Sequence, residues 1–172
     1  GRERDRYRED DGLTEYDRRS EEKMKIERFV LGPVGTNCYI VSSEEMKECF
    51  LVDLAACPPE LVSHIKKSGL TVKAVLLTHG HFDHIMGLDR FLEEFPVPVY
   101  ACKAEEELLE NAQLNSSASM LGQPYTFSGA EYLVNGELLT LAGMKIQVIH
   151  TPGHTAGGCC YYIAGENVLF SG

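Results

Sequence analysis

The sequence predicts a mixed α/β domain in which short strands outnumber helices. Three observations predict it. Short apolar runs bounded by Gly, Pro and Asn-Gly turns recur from Met24 onward, as strands do. Between them lie segments whose apolar residues repeat at helical spacing, as at 85, 88, 91, 92 and 95. Val72–Leu77 is nearly continuous in apolar character, the pattern of a strand buried on both faces.

Taken in order, Ile26–Leu31 and Cys38–Ser42 read as strands joined by the turn Gly32-Pro33-Val34-Gly35-Thr36-Asn37. Cys49–Leu54 is a third strand. Pro58-Pro59-Glu60 starts a helix, because Pro is tolerated in the first turn. Leu61, Val62 and Ile65 form its apolar face, Lys66 and Lys67 suit its last turn, and Gly69 ends it. After the Val72–Leu77 strand, helical spacing runs from Phe82 to Phe95. Val97–Ala101 is a strand and Ala104–Ala112 a helix. Tyr132–Val134, Glu137–Leu141 and Lys145–His150 are short strands parted by Asn135-Gly136 and Ala142-Gly143. Cys160–Ile163 and Val168–Ser171 close the series.

Composition narrows the function classes. The 44% apolar content suits a domain able to bury a core. No apolar run approaches the ~18 residues of a membrane span, and no signal-peptide pattern opens the sequence. A formal net charge of −10, without a basic patch, argues against a nucleic-acid partner. Residues 1–23 differ from the rest: seven basic and nine acidic residues accompany one aliphatic residue, Leu13. Such a segment cannot offset its ordering entropy, so a disordered charged tail is expected, with the domain over 24–172. The six cysteines show no CxxC spacing and read as reduced, buried thiols of a cytoplasmic protein. Cys159 and Cys160, adjacent in a strand, point to opposite faces.

The chemistry concentrates in Thr78-His79-Gly80-His81-Phe82-Asp83-His84, directly after the buried strand. Imidazole is the commonest biological metal ligand, and zinc favours imidazole together with carboxylate. In an extended loop, residues two apart point the same way, so His79 and His81 can bind one ion together. Asp83 and His84 enter the helix and project elsewhere, which suits a second ion. Gly80 lets the backbone bend between the first two ligands. A second cluster, His150-Thr151-Pro152-Gly153-His154-Thr155, again follows a strand, and His154 becomes the third ligand for the ion on His79 and His81.

THGHFDHIMG resembles the HxHxDH signature of the metallo-β-lactamase-fold hydrolases, and HTPGHTAGG resembles their later PGHT segment. The glyoxalase II-like branch, the hydroxyacylglutathione hydrolases, is most similar. Gly35-Thr36-Asn37-Cys38-Tyr39 looks like the family's first hairpin, and Leu51-Val52-Asp53 resembles its strand ending in an acid beneath the site. The resemblance implies a four-layer αββα sandwich. It makes His79, His81 and His154 ligands of a first metal, and Asp83 and His84 ligands of a second. Zinc is the default, up to two ions in a complete domain, with iron or manganese as alternatives. The implied reaction is hydrolysis of a small-molecule thioester by water that the metal has activated, with Asp83 orienting the nucleophile.

In the family, a segment like Val168-Leu169-Phe170-Ser171-Gly172 is followed by a bridging aspartate, and a last histidine ligand comes later. Neither is in this sequence. The expectation is therefore a sandwich truncated at its C-terminus, with weak hydrolysis or none and no more than one tightly held ion. A mononuclear iron persulfide dioxygenase using His79, His81 or His154 with a carboxylate is an alternative. So is an inactive metal-binding fragment, while class B β-lactamase activity ranks lower.

Other residues carry weaker signals. Asp53 either hydrogen-bonds a metal-binding histidine or caps the following turn. His150 reads as a supporting or structural residue and His64 as solvent-facing. Glu105-Glu106-Glu107 reads as the solvated first turn of a helix. The glycosylation sequon Asn115-Ser116-Ser117 carries little weight without a secretory signal.

Overall fold

A computed structural model describes residues 24–121, 125–152 and 158–171. The expected tail, residues 1–23, and His154 lie outside the described residues. Among the described residues, ten strands form two sheets. In the first, β1 (Met24–Leu31), β2 (Thr36–Ser43), β3 (Glu48–Val52), β4 (Thr71–Leu76), β5 (Val99–Cys102) and β6 (Glu131–Leu133) lie side by side in sequence order. β1, β2 and β3 pair antiparallel, and β3 through β6 pair parallel. In the second, β7 (Leu138–Leu141), β8 (Met144–His150), β9 (Cys159–Ile163) and β10 (Val168–Ser171) form an antiparallel meander.

The strand alternation sorts the core into two layers. One face of the first sheet sends Val41, Phe50, Val52, Ala74 and Leu76 against Ile146, Val148, Tyr161, Ile163 and Phe170 of the second. The opposite face sends Ile40, Leu51, Val75 and Val99 against a helical layer. That layer contains α1 (Pro59–Ser68), through Leu61 and Ile65, and α3 (Leu88–Glu94), through Leu88 and Phe91. Ala74, Val75, Leu76 and Leu77 are completely buried, which explains the unbroken apolar run. The described residues thus build helices, sheet and sheet in sequence. On the outer face of the second sheet Leu138 and Leu169 stand exposed.

Strand expectations hold to within one or two residues, and α1 starts and stops as its Pro and Gly residues indicate. Its C-cap, Gly69, has φ +73°, the left-handed conformation that glycine adopts without cost. Two helical expectations are corrected. The 82–95 periodicity is split into α2 (Phe82–Ile85) and α3 by Gly87. The Gly87 N–H donates to the Leu54 carbonyl at 2.9 Å, and a Cβ there would lie 2.4 Å from the Ala56 carbonyl carbon. The backbone contact with the segment after β3 therefore outweighs helix continuity. The Ala104–Ala112 helix is instead a 3₁₀ turn, Lys103–Glu105, followed by one short turn, α4 (Glu106–Leu109). A further short helix, α5, spans Ser117–Leu121.

Candidate metal centre

Three successive parallel strands deliver the site at their carboxyl ends, where α/β sheets commonly place ligands. Asp53 follows β3, Thr78–His84 follow β4, and Glu105 follows β5 by one turn. The second sheet closes on the same point. The wholly buried Tyr161 donates its hydroxyl to the Leu77 carbonyl at 2.6 Å, and Cys159 N–H donates to the Thr78 carbonyl at 2.8 Å. Burial pushes the Tyr161 hydroxyl well above its ordinary pKa, so it stays a donor. The described flanks of the second cluster also meet, Thr151 N–H bonding Gly158 O at 2.8 Å, beside the first cluster.

Asp53 organises the inner side. It sits in the left-handed region at φ +60°, which Asp tolerates better than most residues, and is 4% exposed. Its Oδ1 accepts Thr78 N–H at 2.9 Å and its Oδ2 accepts the Thr78 hydroxyl at 2.7 Å. The same Oδ2 lies 2.8 Å from His84 Nδ1. Of the two roles the sequence left open for Asp53, the structure thus has the histidine contact. Thr78 then reaches His79, its Oγ1 lying 3.2 Å from Nδ1.

His79, Asp83 and His84 bring one ligand atom each within 4.8 Å of one another, the metal-competent group among the described residues. The His84 ring centroid is 3.7 Å from that of His79, whereas the His81 ring stands edge-on at 5.3 Å. Loop alternation alone pairs His79 with His81; the turn of α2 brings His84 closer still. His81 occupies the N-cap position of α2 in extended conformation. Asp83 Oδ2 accepts the Thr36 hydroxyl at 3.2 Å and lies 3.3 Å from His84 Nε2.

The electrostatics are polarised. Burial, then the neighbouring His84, lowers the His79 pKa to about 4, leaving it a neutral imidazole at pH 7. Burial alone would also depress His84, but the Asp53 and Asp83 carboxylates outweigh it and push the value up to about 10. Burial tends to raise Asp83, yet the contacts from His84 and Thr36 bring it down to about 2. Two imidazoles and a carboxylate form the donor set that zinc and non-haem iron take. A second carboxylate on the far nitrogen of a ligand histidine is the customary support for such sites. The residues fit a metal of this class.

Sequence reasoning missed several contributors. Thr36 and Thr78 lay inside quoted motifs, but hydroxyl contacts have no sequence signature. Glu105 is corrected: it is 1% exposed, not solvated, and accepts Gly80 N–H at 2.8 Å. Gly80 also leaves room for Leu109 and Glu105, whose atoms would lie 3.0 and 3.2 Å from a Cβ. His64 is not solvent-facing only, since its Nε2 lies 2.7 Å from Glu27 Oε2 and its ring edge meets Phe29. His150 ends β8, where its N–H donates to Asn135 Oδ1.

Comparison with known proteins agrees with this architecture. Residues 31–172 match the family profile of the Metallo-beta-lactamase superfamily. The chain belongs to that superfamily. It is 35% identical over 150 residues to the probable metallo-hydrolase YqgX of Bacillus subtilis, covering 87% of this chain and 70% of that protein. It is 27% identical to the hydroxyacylglutathione hydrolase GloC of Haemophilus influenzae, covering 87% and 71%. Among solved structures, the BLEG-1 B3 metallo-beta-lactamase superposes with TM-score 0.78 at 38% identity, covering 86% of this chain and 71% of that one. The protein TTHA1623, solved in a di-iron-bound form, superposes with TM-score 0.70 at 29% identity over 84% and 70%.

Proposed function

We propose that this superfamily member is a metal-dependent hydrolase of thioesters, with zinc or iron held by His79, His81, Asp83, His84 and His154. The observation that carries the metal is the convergence of His79, Asp83 and His84 within 4.8 Å, backed by Asp53. The thioester is supported by likeness to proteins named hydroxyacylglutathione hydrolases, at 27% and 30% identity. A bound metal of this class supplies Lewis acidity and brings the pKa of water to near 7.

The chain's own residues supply position and charge. His79 is held neutral, ready to ligate without losing a proton. Asp83, at about 2, is too weak a base to take a proton at neutral pH, so its part is ligation and orientation of the attacking water. Thr36 holds that carboxylate in place, and Asp53 fixes the ring of His84. The buried, unpaired thiols of all six cysteines support a reducing, cytoplasmic setting.

β-Lactam hydrolysis is the second reading, favoured by the 38% likeness to BLEG-1. The two separate in one assay. The zinc-loaded chain is given an acyl-glutathione thioester and a β-lactam at equal concentration. Faster thioester cleavage supports the proposal; preferential opening of the β-lactam replaces it with the second reading.

A further inference from the structure

The loop that carries His79, His81, Asp83 and His84 needs a backing, because loops hold ligands less exactly than helices or strands. Its alternate amides show where that backing lies. Gly80 N–H donates to Glu105 Oε2 at 2.8 Å, and Phe82 N–H donates to the Asn115 carbonyl at 2.9 Å. Both acceptors come from one segment, running from the end of β5 to Phe127.

That segment is braced from within. Asn115 and Ser117 are fully buried. Asn115 donates from Nδ2 to Tyr125 O at 2.8 Å and accepts Ser117 N–H on Oδ1 at 2.9 Å. Ser117 Oγ accepts Tyr125 N–H at 2.8 Å, and Phe127 N–H returns to the Leu109 carbonyl. A buried carboxylate is costly, and Glu105 turns one of its oxygens to a backbone amide between two candidate ligands. Gly80 makes room for this contact: a Cβ there would lie 3.0 Å from the Leu109 side chain and 3.2 Å from Glu105 Oε2, closer than side chains ordinarily pack.

We infer that Glu105 is a positioning residue of the metal centre. Its carboxylate fixes the Gly80 amide, and through it the spacing of the His79 and His81 side chains, while Asn115 fixes the start of α2 behind Asp83 and His84. This rests on the metal reading above, so the test uses cobalt binding rather than turnover.

Wild type, Glu105→Gln, Glu105→Met and Glu105→Asp are titrated with Co²⁺, following the visible cobalt absorption bands, with urea midpoints measured in parallel without metal. Gln keeps an acceptor for Gly80 N–H. Met removes it at similar volume, and Asp keeps the charge but draws it back by one methylene. The expected result is wild-type affinity within about threefold for Glu105→Gln, with unchanged bands. Glu105→Met and Glu105→Asp lose about 10–100-fold, the range for groups that support ligands, and their bands shift. If Glu105→Met does not fold, Glu105→Asp carries the same expectation. Wild-type affinity and bands in a folded Glu105→Met or Glu105→Asp overturn the inference, as does a Glu105→Gln variant as weak as Glu105→Asp. Failure of wild type itself to bind cobalt overturns the metal reading instead.

Discussion

Removing the Asp53 carboxylate is the perturbation with the widest consequences. It serves Thr78 N–H, the Thr78 hydroxyl and His84 Nδ1, all at 2.7–2.9 Å in a site 4% exposed. Asp53→Ala takes the nearer carboxylate from the His84 cation and leaves Asp83 at 3.3 Å, so the low end of the about 3–5 kcal/mol for breaking a buried pair from one side applies. An orphaned Thr78 amide costs about 1–3 kcal/mol on its own, overlapping with the first figure. Alanine at φ +60° adds roughly 1 kcal/mol of backbone strain. The expected loss is about 4–5 kcal/mol, enough to threaten folding. Asp53→Asn keeps left-handed tolerance and an acceptor for Thr78 N–H but not the charge, so about half that loss is expected. The assay is urea unfolding without metal, by far-ultraviolet circular dichroism. Zinc affinity of the folded Asp53→Asn variant should fall about 10–100-fold. A loss below about 1 kcal/mol in Asp53→Ala, or unchanged zinc affinity in Asp53→Asn, refutes the reasoning.

Two further outcomes follow from the polarised histidines. His84, raised to about 10, contributes stability that is complete below pH 6.5 and is lost as pH rises through 10, whereas His79, lowered to about 4, contributes stability present above pH 6.5 and lost as pH falls towards 4. Metal-free stability should therefore peak near pH 6.5 and fall by about 1.4 kcal/mol per pH unit between 7 and 8.5, a slope that Asp53→Asn flattens; urea midpoints across pH that stay level would contradict it. Zinc taking the Nε2 of His84 must also displace its proton, so calorimetric titration near pH 7.5 should show about one proton released, read from the dependence of the heat on buffer ionisation enthalpy.

The strands of this molecule could be placed along the chain because each left a local mark. β4 is buried on both faces and is apolar throughout; β1 and β2 flank a turn rich in Gly and Pro. The candidate ligands were legible because His79, His81, Asp83 and His84 crowd together directly after a buried strand, and imidazole with carboxylate is a donor set that metals take. Illegible were the features that depend on a distant partner. Gly87 interrupts a perfect helical period because the Ala56 backbone passes within 2.4 Å of its Cβ position. Glu105 begins an acidic run that looks solvated, yet a single 3₁₀ turn rotates it under Gly80 while Glu107 remains exposed. The nearness of His84 to His79 depends on α2 folding back against Leu54, whose N–H bonds the His84 carbonyl at 2.8 Å. Periodicity reports which face a residue takes, not which neighbour it meets there.

A metal at His79, Asp83 and His84 acting on a thioester is the central claim. The most direct measurement is thioester hydrolysis by the chain stripped with chelator and then titrated with zinc or iron, for wild type beside His79→Ala. The expected result is hydrolysis that vanishes on chelation, returns in proportion to bound metal, and is lost in His79→Ala. Hydrolysis that survives chelation, or a His79→Ala variant as active as wild type, would contradict the claim.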